Sequence, residues 1–176
     1  MKTFLISLRM LIATTLLLGV AYPFAVWGVG HVLMRHEAEG SQIVLNGRLV
    51  GSSLLAQKTE SPRLFWPRPS ACDYATVPSG ASNMGWSNAA LVTRIDASPY
   101  RDERATQSGS GLDPDLTPEA VLAQMDRVSA ARGWNMAQCN RAAAWIAAHT
   151  EGGIIGPRYV NVLDLNLALE KLESDK

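Results

Sequence analysis

Met10-Leu-Ile-Ala-Thr-Thr-Leu-Leu-Leu-Gly-Val-Ala-Tyr-Pro-Phe-Ala-Val-Trp-Gly-Val-Gly-His-Val-Leu-Met34 contains no Asp, Glu, Lys or Arg. Its reading decides the architecture. At about 1.5 Å per residue, a helix of this length crosses a hydrocarbon core of about 30 Å. Lipid offers no partner to exposed backbone groups, so only a helix crosses here. Pro23 lies mid-run, removes one intrahelical bond and predicts a kink, which membrane helices tolerate. Two other readings compete. A core helix of a soluble domain needs a polar face, and this run has none. A cleaved signal peptide would use Gly19-Val20-Ala21 as its small-residue site, but the apolar run continues more than a turn past Ala21. Gly19, Gly28 and Gly30 are small enough for close helix packing, and equally compatible with facing lipid.

Working outward, Lys2 and Arg9 precede the run, and the mixed set Arg35, His36, Glu37 and Glu39 follows it. The positive-inside rule then places residues 1–9 in the cytoplasm, a transmembrane helix over 10–34, and an extracytoplasmic domain over 36–176.

That domain reads as α+β. Ser41 to Val50 is a hairpin, with Asn46-Gly47 suited to a type I′ turn because both residues accept positive φ. Ser61 to Ala71 is extended, since Pro62, Pro67 and Pro69 forbid regular helix, and Phe65 and Trp66 require burial. Val77 to Asn88 and Ser108 to Pro114 are loops. Thr117-Pro118-Glu119 opens a helix with a cap, a first-turn proline and an acid facing the dipole. Val121, Leu122, Met125 and Val128 form its apolar face, and Gly133 stops it. Asn135 with Gln138 approaches a capping box for a helix whose inner face holds Ala142, Trp145 and Ile146. Val162, Leu165, Leu169 and Leu172 make one stripe of a final helix, although Val160 and Val162 also alternate as a strand does.

The chemistry is sparse. Lys+Arg and Asp+Glu are 16 each, a formal net charge of zero, which removes the electrostatic motive for nucleic-acid binding. No Gly-x-x-x-x-Gly-Lys-Ser/Thr phosphate loop and no phosphorylated-aspartate motif occurs. The three histidines, His31, His36 and His149, lack metal-ligand spacing. Cys72 and Cys139 fall on the outer side, where a disulfide would persist and add about 4 kcal/mol; two buried thiols are the favoured reading. Asp113, Glu119 and Glu151 read as a loop anchor, a first-turn acid and a cap or surface acid rather than acid/base groups. Ser79, Ser82 and Ser108 sit in glycine-containing loops without a nucleophile elbow. A membrane-anchored hydrolase and a free-standing envelope ligand-binding module are the alternatives to an accessory role.

Several segments, collinear over the whole chain, resemble the KdpC family, the C component of the bacterial Kdp potassium-transporting ATPase. They are the span with Tyr22-Pro23, Gly51-Ser-Ser-Leu-Leu-Ala-Gln57, Phe65-Trp-Pro-Arg-Pro-Ser-Ala71, Ser79-Gly-Ala-Ser-Asn83 with Ser87-Asn88, and Ser108-Gly-Ser-Gly-Leu-Asp-Pro114 with Thr117-Pro118. Gln124, Arg127-Val128, Ala131-Arg132 and Val160 to Leu169 complete the series. The chain departs between Asn88 and Ser108, where Arg101-Asp-Glu-Arg-Ala-Thr stands for the family's Val-Pro-Val-Asp-Leu-Val-Thr strand. A core strand is therefore expected to be missing or rebuilt.

The resemblance implies a non-catalytic accessory component of an ATP-driven potassium-uptake complex in the cell inner membrane, its large domain periplasmic. It also implies channel-like and P-type ATPase subunits as partners, and a catalytic-chaperone role that raises the ATPase subunit's ATP affinity. ATP enters as a cofactor only through that family description. On the same ground, Gln57, Ser79, Gly80, Ser82 and Asn83 are nucleotide-associated candidates, and Ser108, Gly109, Ser110, Gly111 and Asp113 form the family-motif loop. No metal site is expected.

Overall fold

A computed structural model describes the chain except Asn46, Asp175 and Lys176, and the side chains from Lys171 onward. The chain divides into two compact units, residues 1–52 and the residues from Ser53.

The first unit opens with α1 (Lys2–Leu16), a π-helical turn at Leu17–Ala21 and α2 (Tyr22–Leu33). Together they make one 32-residue helix, apolar enough to cross a membrane, with no buried residue. The expected disturbance falls in the turn before Pro23. Proline cannot donate the amide that would close the ladder, and a π-turn is one way a helix absorbs the irregularity. Helix starts at Lys2, ahead of the uncharged run. The short α3 (Arg35–Ala38) follows, then β1 (Gln42–Leu45) pairs with β2 (Arg48–Ser52). The hairpin is as expected, and a bulge interrupts its register between Ile43 and Val44. Gly47 has φ +75°, as a primed turn requires; Asn46 lies outside the described residues.

The second unit is mixed α and β. It contains α4 (Ala89–Ala97), a 3-10 turn at Glu103–Ala105, β3 (Asp115–Leu116), α5 (Pro118–Leu122), α6 (Met125–Arg132), α7 (Met136–Ala148), β4 (Glu151–Gly152), β5 (Arg158–Asn161) and α8 (Val162–Ser174). The strands make a small antiparallel sheet of order β3-β5-β4. Between Asn88 and Ser108, where the chain departs from the family pattern, stand α4 and the 3-10 turn.

Local signals act at the expected positions. The Thr117 hydroxyl caps α5 by accepting from the Ala120 amide, and Gly133 ends α6 at φ +66°. Asn135 and Gln138 complete a capping box on α7. The helix expected from Thr117 to Gly133 breaks at Ala123–Gln124, so Leu122 faces out at 45% exposure while Val121 and Val128 are buried. Both readings of the C-terminal segment hold in succession, since Val160 belongs to β5 and Val162 starts α8. The side chain of Leu172 lies outside the described residues. Phe65, Leu116, Val121, Val128, Ile146, Val160, Leu165 and Leu169 form the core. Burying a side chain of this size contributes about 1.5–3 kcal/mol.

Candidate functional site

The Phe65–Trp66 segment has no strand partner, yet its backbone is paired. Asn166 Oδ1 accepts from the Phe65 amide at 2.8 Å, and its Nδ2 donates to the Phe65 carbonyl at 2.9 Å. Gln124 repeats the arrangement one residue on, accepting from Trp66 N at 2.9 Å and donating to Trp66 O at 3.1 Å. Two buried amide side chains thus replace a β-ladder for a segment whose prolines exclude it from a central strand. Arg127 lies 3.9 Å over the Trp66 ring and donates through Nη1 to the Pro62 and Leu64 carbonyls. In this brace, Gln124 lies at the break between α5 and α6 and is 1% exposed. In the sequence, Gln124, Arg127 and Asn166 stand out only as parts of family-matching segments; for Asn166, a polar residue inside the apolar stripe of α8 is a further signal.

The motif loops converge next to this brace. Ser108, 1% exposed, accepts from Gly111 N at 2.8 Å and donates its own amide to Pro69 O at 3.0 Å. Ser110 Oγ accepts from Leu112 N at 3.0 Å. The Ala56 amide donates to Leu112 O at 2.9 Å, which places half-buried Gln57 beside the same loop. Gly111, at φ +76°, has no space for a side chain: a Cβ would lie 2.6 Å from Cys72 Sγ and 2.7 Å from Gly80 O. Gly80 and Gly111 therefore meet, and the 79–83 and 108–113 loops pack together through them. Asn83 also adopts positive φ, +53°, which asparagine tolerates better than most residues. Ser79 is exposed and Ser82 half-buried.

Arg68 ties the loop to the proline-rich segment. Its Nη2 donates to Thr106 Oγ1 at 3.0 Å and to Gln107 O at 3.2 Å, and Nη1 stands 3.6 Å from Asp113 Oδ2. Asp113 Oδ1 accepts from Asp115 N at 3.2 Å, the anchor role expected of it. Cys72 and Cys139 are free and half-buried rather than fully buried. The Ser70 hydroxyl, followed by the Gly80 amide, holds the Cys72 pKa below the ordinary thiol value.

This arrangement organises loops. Ser108 uses its oxygen to accept backbone amides, and its burial denies a substrate access to it. Among the described residues no His/Cys/Asp/Glu cluster is suited to a metal ion. Nearby acids have structural surroundings. Burial, and then Asp113, raise the Asp115 pKa. Hydrogen bonding to Arg104 lowers that of Asp102.

Comparison with known proteins places these motifs in a family. Residues 4–171 match the family described as KdpC: K+-transporting ATPase, c chain. The potassium-transporting ATPase KdpC subunit of Pseudomonas savastanoi pv. phaseolicola is 42% identical, the alignment covering 96% of this chain and 93% of that protein. That of Pseudomonas aeruginosa PAO1 is 41% identical, over 95% and 96% of the two chains. That of Sorangium cellulosum is 40% identical, over 93% and 95%.

Proposed function

The chain belongs to the KdpC family and is an accessory subunit of the potassium-uptake ATPase complex, and on that premise we propose how it serves the complex. The helix over residues 10–34 spans the inner membrane, residues 1–9 face the cytoplasm, and the domain over 36–176 lies in the periplasm. The chain stabilises the assembly of a channel-like potassium-translocating subunit with the P-type ATPase subunit, and it catalyses no step itself.

The supporting observation is the collinear match over residues 4–171, joined to an apolar helix with no buried residue. The motif residues of the second unit hold its loops in one shape, as a docking subunit requires. In this topology the domain cannot reach a cytoplasmic nucleotide. The catalytic-chaperone effect on ATP affinity is then a conformational coupling, of about 1–3 kcal/mol or 5–150-fold. Gln57, Ser79, Gly80, Ser82 and Asn83 act in that reading by shaping the docking surface, not by touching ATP.

Two measurements test this. Protease added outside intact spheroplasts should digest the large domain; a fully protected domain reverses the orientation. The ATP KM of the complex should rise when the KdpC-family chain is omitted, and an unchanged KM removes the chaperone role.

A further inference from the structure

Three arginines outside the motif loops line one cleft. Tyr100, Arg101 and Arg104 form part of its lining with Ala123, Gln124 and Arg127, and its volume is about 490 Å³. Small-molecule sites commonly span about 300–1,000 Å³. Arg104 is 6% exposed and stacks at 4.4 Å on the Tyr100 ring. Its Nε and Nη2 are bound to Asp102. Arg127 is held by the Trp66 ring, by two carbonyls through Nη1 and by Gln124 through Nη2. Arg104 Nη1 and Arg127 Nε are thus left without a hydrogen-bond partner among the described residues. Three arginines against Asp102 and Glu119 leave the lining with an excess of positive charge. Burial lowers the Arg127 pKa, Tyr100 opposes this, and the charge of Arg104 lowers it further. Like charges held together away from bulk water are relieved by an anion between them.

We propose that this cleft binds a phosphate-bearing ligand whose oxygens take Arg104 Nη1 and Arg127 Nε. A carboxylate presents two coplanar oxygens, which suit a single guanidinium fork. Donors from two separate guanidinium groups suit the diverging oxygens of a tetrahedral phosphate. Pro99, Ala123 and the Tyr100 ring offer apolar surface to the ligand's carbon body. The same chemistry is presented by a soluble phosphate monoester and by an anionic phospholipid headgroup. The Arg101–Arg104 stretch departs from the family pattern, whereas Gln124 and Arg127 match it, so the Arg104 side of the cleft is a property of this chain.

The test uses the full chain in detergent, titrated calorimetrically with glycerol 3-phosphate at constant ionic strength. Saturable binding is expected, weakened more than about tenfold by Arg104→Gln. Arg104 also pairs with Asp102, so a second variant, Ala123→Glu, places a carboxylate in the cleft from an exposed position; it should weaken binding as strongly with an unchanged melting temperature. Repeating the titration in nanodiscs identifies the source. Loss of binding in phosphatidic-acid discs but not in phosphatidylcholine discs assigns the headgroup, and equal binding in both assigns a soluble ester. Absence of saturable binding in detergent, or equal affinity of wild type and Ala123→Glu, overturns the proposal.

Discussion

Gly111 is held by two constraints at once, a positive φ and a neighbour on each side of its missing side chain. Gly111→Ala meets Cys72 Sγ and the Gly80 carbonyl together, and the latter cannot rotate away. A loss of more than about 2 kcal/mol is expected from strain and forced displacement, read as a fall in melting temperature. Gly109, with open space around its Cβ position, is the control, and Gly109→Ala should stay within about 0.5 kcal/mol. Asp115 supplies a prediction about pH. Its pKa is raised, first by burial and then by Asp113, against the opposing hydrogen bond from Asn161, with smaller raising effects from Glu151 and Asp164. The folded state therefore binds the proton more tightly than the unfolded state. Stability from this group is present below the unfolded carboxylate pKa, about 3.9, and is lost as pH rises through the folded value. Asp115→Asn should raise the melting temperature at pH 7, with the gain disappearing at pH 3. A constant difference across that range would show that charge is not the cause. At this scale the sequence displays the Ser108–Pro114 motif but not its purpose. The reason Gly111 must be glycine lies at Cys72 and Gly80, far away along the chain.

Among the elements, the segment around Phe65 and Trp66 is the instructive one. Three prolines show that it is extended, and its two aromatic residues require burial. Nothing local shows that the amides of Gln124 and Asn166 pair its backbone. Such pairing depends on contacts 58 and 101 residues away, beyond any periodicity window. A single helix over Thr117–Gly133 is also the wrong expectation: the apolar pattern runs on through Ala123, while the structure breaks at Ala123–Gln124. Capping, by contrast, is local, and Thr117, Gly133 and Asn135 are legible for that reason. Gln124→Leu keeps the volume but leaves the Trp66 amide and carbonyl unpaired, at a cost of about 2–3 kcal/mol. Asn135→Ala removes only the capping box, at about 1 kcal/mol. Urea unfolding of the two variants should rank them in that order, and an equal or reversed ranking would remove the brace from its structural role.

For the molecule as a whole, the apolar helix and the loop-bearing unit have separate tasks. The helix has no buried residue and is long and apolar enough to cross a membrane; the second unit carries the family-motif loops. The accessory role rests on the family match over residues 4–171. Affinity capture of the full-length chain in mild detergent, from cells co-expressing the channel-like and ATPase subunits, is the most direct test of that role. All subunits are predicted to elute together, with potassium-stimulated ATPase activity that falls when this chain is omitted. Elution of the chain as a lone, stable monomer, with the remaining subunits fully active without it, would contradict the role.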